Sequence, residues 1–257
     1  MKLLNGVIAA TAIAITTPAA AVGSLADLTV YDRTEGRRLQ VYWHQGRAYV
    51  VGKPGNEYQL SLRNRAGDDV LAIVSVDGVN VISGQSASPQ QSGYVLAPRG
   101  GMEVQGWRKN LSETAAFYFT PLADSYAART GRPDDVGVIG VALFRKKYTP
   151  PPAPIGSPFP GPYSSSSEKE SSSGARSRQD AAKPAESQLG TGHGRRETSH
   201  ARYVNFERAS SAPSEVIALY YDSRANLVAR GIIREPIPVA PLPYPRPFPG
   251  FVPDPGA

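Results

Sequence analysis

The stretch at residues 70–82, VLAIVSVDGVNVI, constrains the fold more than any other part of the chain. Its first seven residues are apolar except Ser75 and rich in Val and Ile, a run too short for a typical helix and suited to a buried strand. Asp77-Gly78 then supplies a two-residue turn that tolerates positive φ, so the strand is expected to fold back as a hairpin onto residues 79–82. Because both faces of the run are apolar, the strand must lie between two layers or be covered by another element.

The surrounding sequence has the same texture. Residues 38–43 alternate Leu39, Val41 and Trp43 against Arg38, Gln40 and Tyr42, and turn through His44-Gln45-Gly46 into AYVV at 48–51. Residues 57–64 alternate Tyr58, Leu60 and Leu62 against polar neighbours, and AAFYFT at 115–120 reads as a further strand. VGVIGVALF at 136–144 is a second strand apolar on both sides, with glycines that admit close approach. About eight or nine short strands follow one another with only one short helical turn, at 125–130, and nothing long enough for a crossover helix. The chain is therefore expected to be all-β, an antiparallel β-sandwich of jelly-roll or immunoglobulin-like form over 25–147.

Outside that interval the composition changes. Residues 1–21 have one lysine, an apolar stretch and a small-residue end, the layout of a secretory signal peptide with no further membrane span after cleavage, which implies a periplasmic or secreted protein. The interval 148–187 is Pro-rich and then Ser-rich, with too little apolar surface to offset chain entropy, and is expected to be a disordered linker. Residues 188–235 return to strand-like runs at 201–208, 215–222 and 226–233, expected as a small three-stranded β-hairpin unit that docks on the main domain or on a partner. Residues 236–257, nearly every other one a proline, are expected to form an extended polyproline II tail with a reach of about 70 Å.

The absence of cysteine excludes a disulfide scaffold and a thiol nucleophile. Residues 22–147 carry 15 Lys and Arg against 12 Asp and Glu, and 148–257 carry 12 against 10. So slight and dispersed an excess does not make the concentrated basic footprint that nucleic-acid binding requires, and no nucleic-acid partner is expected.

The set VLAIVSVDGVNV, GYVLAP, QGWRKN, AAFYFT, SYAARTG and VGVIGVALF resembles a family of exported, signal-peptide-bearing proteins of Gram-negative proteobacteria for which no activity is established. The resemblance covers roughly 55–147, and LGTGHGRRE with the hairpin after it is similar to the end of some members. It implies a β fold and a cell-envelope location and carries no catalytic residue.

Several constellations are candidates for chemistry. Asp77 and Asn80 can offer oxygens to a sugar or a calcium ion, or can be a hairpin turn with solvated polar ends. Trp107 and Arg108, in GWRK, can form part of an aromatic platform for an envelope glycan, or can simply fill the core. His193, Glu197 and His200 are weak metal candidates, since the glycines at 190, 192 and 194 disfavour the helix that would bring them together. The same glycines, beside Arg195 and Arg196, can offer backbone N–H groups to an anion. No nucleophile-elbow pattern marks a serine, so no catalytic residue and no cofactor are assigned. The expectation is an exported, non-enzymatic binding or scaffolding protein with an envelope protein or glycan as partner; the alternatives are a carbohydrate-binding module, a hydrolase or a metal-binding protein.

Overall fold

A computed structural model describes residues 22–148 and 188–234. The expected signal peptide, all but the first residue of the expected linker, and the Pro-rich tail lie outside the described residues. In chain order the strands are β1 (Ala26–Asp32), β2 (Arg37–Arg38), β3 (Val41–His44), β4 (Arg47–Val51), β5 (Glu57–Asn64), β6 (Val70–Val76) and β7 (Val79–Asn80). They continue with β8 (Tyr94–Leu96), β9 (Gly101–Val104), β10 (Gly106–Arg108), β11 (Glu113–Pro121), β12 (Val138–Arg145), β13 (Leu189–Thr198) and β14 (Glu215–Asp222). Two short α-helices, α1 (Tyr126–Arg129) and α2 (Arg224–Ala229), and a 3₁₀ turn at Leu122–Asp124 complete the set among the described residues.

The strands form two seven-stranded sheets packed as a sandwich. One runs β10-β11-β5-β1-β2, with β13 on β11 and β9 on β5; the other runs β3-β4-β14-β12-β6-β7, with β8 on β6. All pairings are antiparallel except β14 with β4. Alternation sorts the side chains: Leu28, Leu60, Leu62, Phe117 and Phe119 from the first sheet meet Val50, Val74, Ile139, Leu143 and Leu219 from the second in one core. Each such side chain, fully buried, contributes about 1.5–3 kcal/mol relative to exposure.

The 70–82 stretch behaves as its sequence dictates. Ser75 pairs with Asn80 and Val76 with Val79, while Asp77 and Gly78 both take positive φ, 52° and 68°. The turn matches the right-handed strand twist. β6 is buried on both faces because the side away from the core also has a cover. There Leu71 and Ile73 pack with Phe144, Val95 and Phe206, and the Arg208 guanidinium stands 4.3 Å over the Phe144 ring.

The C-terminal part departs from expectation. Residues 188–234 do not form a three-stranded unit of their own: β13 joins the first sheet beside β11, and β14 enters the second between β12 and β4. Three strands alone bury too little, whereas inserted into existing sheets each gains partners and core on one face. Residues 201–208 are not a strand; apart from the isolated bridge of Arg208 with Lys146 they lie against the sandwich through single backbone bonds, such as Ala201 N–H to the Leu111 carbonyl, and through Phe206. Residues 226–233 are not a strand either, because capping outweighs their β-branched content. The Ser223 Oγ accepts the Asn226 N–H at 3.2 Å, and Gly231 follows the helix at φ 69°.

Candidate functional site

Asp77 is fully buried, the most enclosed carboxylate among the described residues. The αL conformation of the turn swings its side chain inward, toward β13 and β14. Oδ1 accepts the Gly137 N–H at 2.9 Å and the Tyr221 hydroxyl; Oδ2 accepts the Thr191 N–H at 2.7 Å. Thr191 Oγ1 lies 2.6 Å from the Tyr221 hydroxyl and 2.6 Å from the Tyr58 hydroxyl. The Tyr221 proton is committed to Asp77, so Thr191 must donate to Tyr221 and Tyr58 to Thr191. Three hydroxyls therefore point their protons along one chain that ends on the carboxylate, a polar clasp joining β5 and β13 of one sheet to the β6–β7 turn and β14 of the other.

Burial pushes the Asp77 carboxyl up from 3.8 to about 6, against the hydrogen bonds that lower it. Burial, reinforced by the Asp77 charge, likewise raises the Tyr58 and Tyr221 hydroxyls well above their ordinary range. Perturbed groups of this kind mark active sites when a cleft exposes them. Here Asp77, Tyr58 and Thr191 have no exposed surface, and every acceptor and donor of the clasp is satisfied from within. The arrangement holds two sheets together and has no opening to a substrate.

Asn80, Trp107 and Arg108, also singled out from sequence, are engaged internally as well. Asn80 is buried: its Oδ1 accepts the Ile82 N–H at 2.8 Å and its Nδ2 donates to Gln91 at 3.0 Å, so the polar ends of the turn are buried rather than solvated. Trp107 is 3% exposed, sits edge-on to Phe117 and donates its indole N–H to the Gly192 carbonyl at 3.1 Å, which makes it core rather than platform. Arg108 donates to the carbonyl and hydroxyl of Ser199 and lies over the Tyr94 ring.

His193 and Glu197 stand four residues apart on extended β13, about 13 Å along the strand, too far to share one ion. His193 stacks on Tyr126, its imidazole held below the ordinary range by burial, and Glu197 takes both terminal nitrogens of Arg33 at 2.8 Å. His200 is exposed, beyond the strand. Among the described residues no three His, Cys, Asp or Glu side chains gather to hold a metal. The glycines of GTGHG form no anion-binding loop, since their backbone pairs with β11; a Cβ at Gly192 would stand 2.2 Å from the Tyr118 ring, which lies across it.

Among the described residues an open groove lies at the β3–β4 side of the second sheet. β14 pairs with β12 from Glu215 to Tyr220, but with β4 only from Leu219 onward. Tyr221 N–H bonds to Gly137 on the β12 side, and Gly52 N–H bonds to Asp222 on the β4 side, so the even-numbered residues of β14 present their backbone toward β4. Val216 consequently has no strand partner there among the described residues. The gap is an open groove of about 310 Å³, bounded by Trp43, Arg47 and Ala48 on one wall and Val216, Ile217 and Tyr220 on the other.

Trp43 is 58% exposed and Val216 66%, and Arg47 stands 5.7 Å over the Tyr220 ring. Glu215 closes one end by taking the Ser24 and Leu25 N–H groups at 2.7 and 2.6 Å. Sequence reasoning assigned no role to Arg47, Val216 or Tyr220. Trp43 alternates in phase with Leu39 and Val41 and so reads as core, yet β3 is an edge strand and leaves the indole uncovered.

Fold and site together define an all-β sandwich protein with a sealed polar clasp and an aromatic groove at a broken sheet edge. No protein-family model matches the chain, and no curated protein or solved structure matches it either.

Proposed function

We propose that the chain is an exported protein of the cell envelope that works by binding rather than catalysis, and that the groove between Trp43 and Val216 is its recognition surface. The observation that carries this reading is the contrast between the two sites. Asp77, Tyr58 and Tyr221, whose titration burial raises, are sealed in the core, while an exposed tryptophan, an exposed valine and a stretch of strand unpaired on one side border one open groove. Exposed apolar surface beside unpaired backbone is how a sheet edge takes an extended partner, with main-chain hydrogen bonds for affinity and side-chain contacts for selection. The signal-peptide layout of residues 1–21 and the resemblance to exported proteobacterial proteins support the envelope location.

A second reading, recognition of an envelope glycan, draws on the same residues. Trp43 offers a flat face, and Arg47 and Glu215 supply charged hydrogen-bonding groups around it. Retention of the purified protein on peptidoglycan, on lipopolysaccharide and on immobilised extended peptides separates the two. Binding to any of them that is lost in Trp43→Ala, with the circular dichroism unchanged, supports the groove as the recognition surface. Binding undiminished by Trp43→Ala overturns it.

A further inference from the structure

We propose that the ligand of the Trp43 groove is an extended peptide segment of another protein, with alternating apolar and acidic residues, bound as an added strand on β14. The inference rests on the reading of that groove as the recognition surface and adds the chemistry of what is recognised.

The backbone supplies the first constraint. The Val216 main chain faces the gap that β4 leaves open, and neither its N–H nor its C=O has a backbone partner among the described residues. In an antiparallel ladder one residue of an incoming strand takes both bonds. Room exists beside the β3–β4 turn, because a Cβ built on Gly46 would meet nothing within 4 Å. An extended peptide repeats this donor and acceptor pair at strand spacing, which the hydroxyls of a glycan do not.

The second constraint is the division of faces. On β14 the Ile217 and Leu219 side chains are buried in the core, while Val216 points outward and is 66% exposed. Trp43 pairs with Ala48, a core residue, and so shares the inner face. Arg47, over the Tyr220 ring, stands on the outer face. Successive residues of a strand laid along the groove therefore look alternately at the Trp43 indole and at Arg47. The indole selects an apolar side chain.

Charge decides the other position. The Arg47 guanidinium contacts the Tyr220 ring and has no carboxylate partner among the described residues. Glu215, the acid that lines the groove, already accepts the Ser24 N–H, the Ser24 hydroxyl and the Leu25 N–H at 2.7, 3.1 and 2.6 Å. The site thus offers an uncompensated cation, and a ligand aspartate or glutamate completes it with a charge-assisted hydrogen bond.

Two fluorescein-labelled synthetic peptides test this, Thr-Val-Glu-Val-Glu-Val-Thr and its counterpart with Lys in place of both Glu. Each is titrated with the full chain and followed by anisotropy. The glutamate peptide is expected to bind about five- to tenfold tighter at low ionic strength, with the ratio shrinking in about 0.5 M salt. Arg47→Glu should invert the order and Arg47→Gln should bring the ratio toward one, both with unchanged circular dichroism. N-methylation of alternate peptide amides should abolish binding in one of its two phases only, because one edge of the peptide pairs with β14.

Equal affinity for the two peptides, or a preference that Arg47→Glu leaves unchanged, overturns the proposal while leaving Trp43-dependent retention on an envelope component free to succeed. Trp43-dependent retention on peptidoglycan or lipopolysaccharide without binding of either peptide also overturns it, and the groove then remains the recognition surface for a glycan. Absence of both peptide binding and Trp43-dependent retention defeats the two readings together.

Discussion

Replacing Asp77 by Asn removes a buried charge while preserving shape and the tolerance for positive φ at the turn. Burial raises the carboxyl from 3.8 to about 6, so the folded protein holds the Asp77 proton more tightly than the unfolded chain does. The stability this group contributes is therefore greatest below about pH 3.8, declines as pH rises through the window from 3.8 to 6, and is level above it. At 1.36 kcal/mol per pH unit the whole decline is about 3 kcal/mol, of which about 2.5 kcal/mol falls between pH 4 and 7. The variant lacks this slope. Its amide nitrogen facing the Thr191 N–H adds a pH-independent cost of about 1–3 kcal/mol.

Urea unfolding of both proteins at pH 4, 5.5 and 7 reads the effect, because titrations common to the two cancel in the difference. The parent's advantage over Asp77→Asn is expected to shrink by about 2.5 kcal/mol from pH 4 to 7, about 1 M in urea midpoint at a slope near 2 kcal/mol/M. A difference that is constant, or that grows with pH, refutes the reasoning. It would mean that the Gly137, Thr191 and Tyr221 donors outweigh burial and hold the carboxyl at or below its ordinary value.

Other substitutions discriminate core from surface. Trp107→Ala should cost about 3–5 kcal/mol in chemical denaturation, since it empties a core site and leaves the Gly192 carbonyl without its indole donor. Trp43→Ala should change stability by no more than about 0.5 kcal/mol, because its side chain is mostly exposed. Gly192→Ala drives a methyl into the Tyr118 ring and should cost about 1–3 kcal/mol; the loss should be relieved in the Gly192→Ala, Tyr118→Ser double variant, read as a thermodynamic cycle.

The parts of the fold that are legible in the sequence are those set by local rules. The Asp77-Gly78 hairpin, the β3–β4 hairpin with Gln45 and Gly46 at positive φ, and the single helical turn capped by Ser125 follow from turn chemistry and alternation. The destination of residues 188–234 is not legible, since pairing partners in β11 and β4 lie far away in sequence and periodicity records only that a strand exists. α2 is written in Ser223 and Gly231 but is masked by the β-branched run around it.

The same limit governs the site. Asp77 looks exposed as half of an Asp-Gly turn, and only the approach of Thr191 and Tyr221 from distant strands buries it. Trp43 carries the period of a core residue, and exposure comes from its position on an edge strand, a property of the assembled sheet.

Both the groove and the clasp exist only if β13 and β14 are built into the sheets of residues 22–148, and cutting the chain between them tests that claim most directly. A recognition sequence for a specific protease, inserted within residues 165–175, allows quantitative cleavage followed by size-exclusion chromatography without denaturant. Eight register pairs of β13 on β11 and six of β14 on β12 predict that the two pieces co-elute, keep the parent circular dichroism, and part only in denaturant. Separation of the pieces in native buffer, with the N-terminal one still folded, would contradict the account.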